Sequence, residues 1–497
     1  MEGRSRPQVT CVAGTAHPRM NHTSSRSYDF LWLSLTLLSL ITLSFLFAIH
    51  SADYWWVLRV GRDTLLNGAV PTTETISWSQ SGRPVVYQPW LAGVIFWLVY
   101  DMGGAALTYL LRGLLIGLSY SVIWLMVRQA SGPRLATILV LILGVASSNN
   151  WQMRTQLFAY PLFALCLYSL YNWQSGNNKT LWILPVATIL WSNLHGSFVL
   201  SLILAGSALV FGNGNRKTLL IFVAFMLIGT LLNPRGFNSW RYLDFMLTSP
   251  SDQLYSVEWF PPTNQGWQMN IVFAWTLLFA PLVALSSRRP SILEWVWFLG
   301  FGWLAFSGIR YMIWFLFILT VLTAGPLADL TRGKLDTPSN TSAPVLNFVL
   351  ACMFIPLSLF YLPGIREKWW AEAPPVYAPE SNPIAAVEWL KTHPELPAPL
   401  WNDYAFGSYL AFALPSRPPW LDSRFFVYPP EQMEAYQQIS HGSPEWEMLL
   451  QREGVNLLLL STASQTKLIE NAATSRRWCE QYRDPNAVIF SRCNPIP

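Results

Sequence analysis

The feature that most constrains this chain is the recurrence of apolar stretches close to 20 residues long, beginning with Phe30–Ile49, which carries no charged side chain. The hydrocarbon core of a bilayer takes about 20 such residues per helix. Eleven stretches are expected to span it: 30–49, 104–127, 135–148, 157–173, 181–194, 197–211, 218–232, 271–286, 292–306, 309–326 and 344–361. Composition agrees, since only 12% of the 497 residues are charged where soluble domains carry about 25%. The charge is also uneven: residues 30–361 hold 27 charged side chains, and the much shorter 380–497 segment holds 22. The expected fold is therefore mainly α, a polytopic membrane helical bundle over residues 30–361. A polar tail over 1–29 precedes it, and a Pro-rich linker over 362–381 and a soluble α/β domain over 382–497 follow it.

Orientation follows from Lys and Arg in short loops, which are retained on the cytoplasmic side. Arg4, Arg6, Arg19 and Arg26, and then Arg128/Arg134, Lys179, Arg216/Lys217, Arg288/Arg289 and Arg332/Lys334, belong to one side. The long loop 50–83, Asn149–Gln156, the Asn193–Ser197 turn, the 233–270 loop and everything after Tyr361 belong to the other. This predicts a cytoplasmic N-terminus and an extracytoplasmic C-terminal domain in an inner (plasma) membrane. Val85–Tyr100 interrupts the alternation. It reads as a re-entrant or interfacial helix, with an ordinary crossing and a locally violated charge rule as the alternative.

In the tail, Asn382-Pro383 opens a helix with Ile384, Val387, Trp389 and Leu390 at helical spacing. Glu445–Arg452 reads as a second helix, Val455–Leu460 as a buried strand and Val488–Phe490 as a closing strand. Cys479 and Cys493 flank Asp484-Pro485-Asn486, a strong turn sequence. Antiparallel pairing about that turn sets them within one residue of register, as a disulfide in an oxidising compartment or as two thiols on opposite faces. Cys11, Cys166 and Cys352 join no metal-ligand pattern. The basic residues form no basic, aromatic-interleaved face, so nucleic acid is excluded as a partner.

The most informative polar stretch is the first outer loop, where Asp53 precedes Trp55, Trp56, Arg59 and Arg62, and Glu74 follows. Asp53 falls a few residues past the first span. Two Trp rings would shield it from water, and partial desolvation makes a carboxylate a better proton acceptor. Asp also favours helix N-caps, so the residues leave two roles open: base, or cap of the helix Tyr54–Asn67. Arg59, Arg154 and Arg235 fall on the same side, with guanidinium geometry suited to phosphate or to snorkelling toward lipid. His195 lies in a tight turn with Asn193 and Gly196. Glu258 sits beside Trp259 and either joins it in holding a ligand or pairs with Arg235 or Arg241. Arg112 reads as structural and Glu294 as a helix-end residue.

From Asp53-Tyr-Trp-Trp-Val-Leu-Arg59-Val-Gly61-Arg62 through Val70-Pro-Thr-Thr-Glu74-Thr-Ile-Ser-Trp78 to Gly82-Arg-Pro-Val-Val-Tyr-Gln88-Pro-Trp-Leu91, the chain resembles the C-type (GT-C) integral-membrane glycosyltransferases. It looks closest to their RgtA/B/C/D-like and dolichyl-phosphate-mannose mannosyltransferase-like members. Arg154-Thr-Gln-Leu-Phe158, Leu190-Trp-Ser-Asn-Leu-His195-Gly196, Leu232-Asn-Pro-Arg-Gly236, Val257-Glu-Trp259, Trp401–Leu410 and Leu421-Asp-Ser-Arg424 extend the resemblance over nearly the whole chain.

The resemblance implies transfer of a sugar from a polyprenyl-phosphate donor to an extracytoplasmic glycan, lipid or protein acceptor, among membrane lipids. Asp53 matches the acidic residue that serves as base in that group, in an inverting single displacement, with Glu74 a candidate second carboxylate. Trp55, Arg59, Gln88, Arg154, Asn193, His195, Arg235 and Glu258 are the expected substrate-binding residues. Ser51 and Val57 replace an Asp and a His common in the group, so no Asp-x-Asp pair is present. No cofactor is implied, metal-independent chemistry is expected, and a divalent metal stays open. A non-enzymatic protein that binds or translocates lipid-linked glycans is the alternative, while hydrolase, nucleotide-driven and redox readings find no motif. A periplasm-active reporter fused after Pro497 is expected to give signal, and activity of a cytoplasm-specific reporter there would reverse the orientation.

Overall fold

The computed structural model describes residues 26–51, 53–331 and 344–493. Arg4, Arg6, Arg19, Cys11, Arg332 and Lys334, on which the sequence reading also drew, lie outside those residues. The membrane body comprises α1 (Arg26–Phe45), α2 (Tyr54–Asn67), α3 (Trp90–Ser131), α4 (Pro133–Ser147), α5 (Ala159–Gln174), α6 (Ile183–Leu194) and α7 (Val199–Phe211). It continues with α8 (Arg216–Gly229), α9 (Asn238–Thr248), α10 (Pro250–Tyr255), α11 (Trp267–Leu285), α12 (Ile292–Ser307), α13 (Met312–Thr331) and α14 (Pro344–Leu357). Helices occupy all eleven apolar stretches. By length and composition alone, Trp90–Ser131, Trp267–Leu285 and Ile309–Thr331 are the three among the described residues that can cross a membrane, and four apolar helices are shorter. The count of eleven crossings remains an expectation.

Val85–Tyr100 leads into the first half of α3, a helix that Gly103 and Gly104 break from the second half by leaving helical geometry. Gly104 has φ 55°, a left-handed conformation open to glycine at little cost, so the two halves of α3 take different directions. The first half packs on α2 at Gly61 and Gly93, where a Cβ on Gly61 would lie 2.0 Å from the Gly93 carbonyl oxygen. Two glycines thereby bring the first outer loop against the bundle.

Arginines fix the end of α1. Arg112, from α3, donates to the Phe47 carbonyl at 2.7 Å and lies 4.2 Å from the Tyr109 ring. Arg366, from the linker, donates to Phe45 O and Pro374 O, both at 2.6 Å. Both guanidiniums are buried and satisfy carbonyls that a helix end leaves without partners. Glu294 caps α12 reciprocally with Ser291 and accepts from Tyr171 Oη at 2.9 Å. Beyond Arg366, the linker pairs Tyr377 with Ile49 in a parallel bridge, so it lies on the bundle as a strap.

The C-terminal region comprises α15 (Ile384–Thr392), β1 (Leu400–Asn402), α16 (Tyr404–Ala413), α17 (Pro430–Ser440), α18 (Trp446–Arg452), β2 (Leu457–Ser461), α19 (Thr466–Thr474), β3 (Trp478–Arg483) and β4 (Ala487–Arg492). The sheet order is β1-β2-β4-β3, with β1 parallel to β2 and the other pairs antiparallel. β2 and β4 fall at the two sequence-read strands, and the Pro383 and Glu445 helices fall at α15 and α18. β1 was not anticipated. Its three residues are too few to show a period and lie within the Trp401-Asn-Asp motif. Cys479 and Cys493 are disulfide-bonded, with Cα atoms 5.2 Å apart. Cys479 faces Ser491, so the cysteines are diagonal neighbours two positions out of register, and a shift between Glu480 and Tyr482 interrupts the pairing toward the turn.

The tail and the first outer loop share one buried charge cluster. Arg424 contacts Glu74 Oε2 through Nη1 and Asp422 Oδ2 through Nη2, each at 2.6 Å, and all three side chains are fully buried. Arg424→Leu leaves two buried carboxylates uncompensated and is expected to cost about 3–5 kcal/mol, read as a fall in melting temperature of the purified protein. Arg477→Ala, at an exposed pair 3.6 Å from Glu447, is expected to cost under about 1 kcal/mol.

Candidate active site

A cavity of about 610 Å³ opens where several connections between the bundle helices meet the tail. Asp53 and Trp56 come from the first loop, Arg154 from the α4–α5 connection, His195 and Gly196 from the α6–α7 turn, and Tyr242, Asp252 and Glu258 from the 233–270 loop. Leu200, Ile203, Leu304 and Trp314 continue the wall among the membrane helices, and Tyr404, Phe425 and Phe426 of the tail close it from above. The cavity thus joins a polar ring to an apolar floor, a shape matched to an amphiphile.

Asp53 occupies the N-cap position of α2, but its side chain makes no capping hydrogen bond. The Trp56 indole N–H donates to Oδ1 at 3.3 Å, and Oδ2 lies 3.7 Å from Arg154 Nε. The carboxylate is a third exposed and is held at the cavity wall. Arg154 also pairs with Glu258 Oε1, so one guanidinium bridges two carboxylates. Glu258 therefore pairs with Arg154 and not with Arg235 or Arg241.

His195 Nδ1 accepts the backbone N–H of Ser197 at 3.1 Å and contacts its hydroxyl at 2.7 Å. Burial, then the charge of Arg310, pushes its pKa down to about 3. At neutral pH the ring is uncharged, with the proton on Nε2, the nitrogen opposite the bonded Nδ1. Gln88 also lines the cavity and donates through Nε2 to Ser192 O at 2.6 Å.

The other expected residues do not line the cavity. Glu74 accepts from the Ile76 and Ser77 amides, the Tyr87 hydroxyl and Arg424, and is buried outside the cavity lining. Burial alone would raise its pKa, and Arg424 with the two amides holds it below the usual range. Trp55 is buried with its indole on Asn382 Oδ1 at 2.6 Å. Arg59 donates to Ala411 O at 2.6 Å. Asn193 joins α6 to Leu232 O at 2.9 Å and accepts from the Trp90 indole at 3.0 Å. Arg235 binds the carbonyls of Val70 and Pro71. Ser51, at the position where the resemblance led to an Asp, accepts from Tyr409 N at 3.1 Å. Side of the membrane was the signal that selected these residues, and it does not distinguish a cavity wall from a loop–tail seam.

Two groups on the wall escaped the sequence reading. Arg310 stands in the short α12–α13 connection with its guanidinium 4.5 Å from the Trp259 ring and no ion pair to the described residues. A lone Arg between two apolar helices on the outer side was the available signal. Asp252, on α10, is buried, and Oδ2 has no hydrogen-bond partner among the described residues. Burial raises its pKa to about 6, further supported by the charge of Asp53 and opposed by Ser249 and Arg310. Its position in a polar loop disguised its burial.

No protein-family model matches the sequence, and no curated protein matches it. Solved structures do. The Archaeoglobus fulgidus oligosaccharyltransferase in its apo form aligns with a TM-score of 0.53 at 10% identity, over 88% of this chain and 70% of that one. The arabinofuranosyltransferase AftD from Mycobacteria aligns with a TM-score of 0.56 at 15% identity, over 94% of this chain and 40% of that one. The fold is that of the GT-C glycosyltransferases. ArnT from Cupriavidus metallidurans, in a structure bound to undecaprenyl phosphate, aligns over 95% of this chain and 99% of its own, with a TM-score of 0.50 at 14% identity. The GT-C fold thus accounts for body and tail together, although the sequences have diverged to the level where fold alone is shared. Among the described residues no group of three or more His, Cys, Asp or Glu side chains is placed to hold a metal.

Asp252 makes the site pH-sensitive in stability. Its pKa is raised on folding, so its contribution is present below about pH 4 and is lost as pH rises toward 6. Asp53, Tyr242 and Arg310 are the ionisable groups that act on it. Asp252→Asn is expected to stabilise the protein at pH 7.5 by roughly 1–3 kcal/mol, with the gain vanishing near pH 4. Melting curves of the two proteins across that range check the sign.

Proposed function

We propose that this protein is a membrane glycosyltransferase that moves a sugar from a polyprenyl-phosphate carrier to an acceptor hydroxyl on the outer face. The observation that carries the reading is the Asp53 carboxylate, free of helix capping and held at the wall of an amphiphile-shaped cavity by Trp56 and Arg154. The bound undecaprenyl phosphate of the ArnT structure supports a lipid phosphate as the carrier.

In the proposed reaction the acceptor oxygen attacks the anomeric carbon as its proton passes to Asp53, and the bond from that carbon to the phosphate oxygen breaks. A single displacement inverts the anomeric configuration. The departing lipid phosphate gains negative charge, and Arg310, a cation without a carboxylate partner among the described residues, is the group suited to receive it. Arg154 is already shared by Asp53 and Glu258 and serves to aim the base. Neutral His195 offers its Nε2–H as a donor to phosphate or sugar oxygen. Leu200, Ile203 and Leu304 supply an apolar surface for the first isoprene units, and Tyr404, Phe425 and Phe426 form the roof through which an acceptor would approach. A protein that only held or moved the lipid would have no use for the base.

Asp53→Asn keeps the shape of the side chain and is expected to lower transfer by about 10²–10⁴-fold. Its binding of undecaprenyl phosphate should remain within about twofold of wild type. Transfer from a radiolabelled lipid-linked sugar in proteoliposomes checks the first, and native mass spectrometry the second. Full activity in the variant would overturn the assignment of the base.

A further inference from the structure

Gln88 and Asp252 put two buried acceptors with no donor opposite them on the wall that holds Asp53. Gln88 is 1% exposed, and its amide orientation is set by the bond from Nε2 to Ser192 O, which leaves Oε1 on the cavity side without a partner among the described residues. Asp252 is 6% exposed, with Oδ2 likewise unpartnered. They come from separate elements, the segment before α3 and the short helix α10, and line one cavity. Buried polar groups are nearly always satisfied. Two acceptors with no donor call for a ligand that brings O–H groups.

Gly196 keeps the space for it. A Cβ there would lie 3.4 Å from the Tyr242 ring and 3.7 Å from Gln88 Oε1, so glycine leaves a cradle between the acceptor and an aromatic face. A flat ring edge and hydroxyl acceptors together suit a sugar, whose C–H face packs on the aromatic while its hydroxyls donate. The cation Arg310 stands elsewhere on the same wall, so one cavity carries both an anion end and an acceptor end.

We propose that Gln88, Gly196, Tyr242 and Asp252 form the subsite for the sugar ring of the donor, with Asp252 and Gln88 accepting its hydroxyls and thereby turning the anomeric carbon toward Asp53. This rests on the proposed glycosyl transfer and adds to it a substrate class, a hydroxyl-rich uncharged sugar, and four residues that select it. Asp252 touches the sugar away from the reacting bond, so its contribution is to affinity and orientation.

The test uses the full-length protein in nanodiscs with two probes, undecaprenyl phosphate and its glucose, mannose and arabinose esters. Wild type is expected to bind at least one ester more tightly than the bare lipid phosphate. Asp252→Asn and Gly196→Val should each lose about tenfold in affinity for that ester and change by less than twofold for the bare phosphate. Arg310→Gln should weaken both probes alike. The Asn variant retains its fold, as its melting curve at pH 7.5 will show, so a selective loss there is not a loss of structure. Equal loss for both probes in the Asp252 and Gly196 variants, or wild-type affinity of both variants for the ester, would overturn the subsite while leaving lipid-phosphate binding intact. Failure of wild type to bind any of the four lipids would overturn the proposed function itself, and the subsite with it.

Discussion

The contact on which the rest of the structure depends is the buried guanidinium of Arg424. It is held by Asp422 beside it and by Glu74 from a loop 350 positions earlier. Two carboxylates and one cation enclosed together carry a net negative charge, which the amides of Ile76 and Ser77 and the Tyr87 hydroxyl relieve by donating to Glu74. A buried ion pair of this kind is weak evidence for net stability, because desolvation offsets much of the attraction. It is strong evidence for geometry: breaking it is costly, so the loop and tail have one relative position. The Trp78 indole on Leu400 O at 2.8 Å and Trp56 N on Ser408 Oγ at 3.0 Å extend the same seam.

That seam turns a flexible loop into a platform. Asp53 lies at one end of α2, and α2 packs against both the first half of α3 and α16. The Asp53 carboxylate is therefore positioned by a helix clamped on two sides, and rigid elements hold a side chain's geometry best. Charge alternates along the cavity wall as Asp53, Arg154 and Glu258, and Arg310 stands apart on the Trp259 ring. The division leaves one arginine paired with carboxylates and one without a carboxylate among the described residues.

Much of the fold was legible because its signals are local. Apolar runs marked the longer bundle helices, and Glu294 was read as a helix-end residue, where it caps α12. The prolines of the linker report stiffness and say nothing of the surface that the chain lies on. Assignment of loops to one side of the bundle selected Asp53, Arg154, His195 and Glu258, which line the cavity. It also swept in Glu74, Trp55, Arg59, Asn193 and Arg235, whose partners are carbonyls, amides and one arginine distant in sequence. Arg310 and Asp252 went unseen for the opposite reason, since their importance arises from what does not contact them. Both kinds of error come from long-range partners, which periodicity cannot report.

The two arginines at the end of α1 also set an order in time. Arg112 is made soon after α1, but Arg366, whose guanidinium holds Phe45 O, emerges only after every helix of the bundle. The residues that fix the first outer loop, Asn382, Ser408 and Arg424, come later still. A nascent chain with all its membrane helices in place would still lack the clamp on α2, so its carboxylate would not yet be aimed. The seam that fixes α2 and the cavity above it therefore arrives only with the last quarter of synthesis.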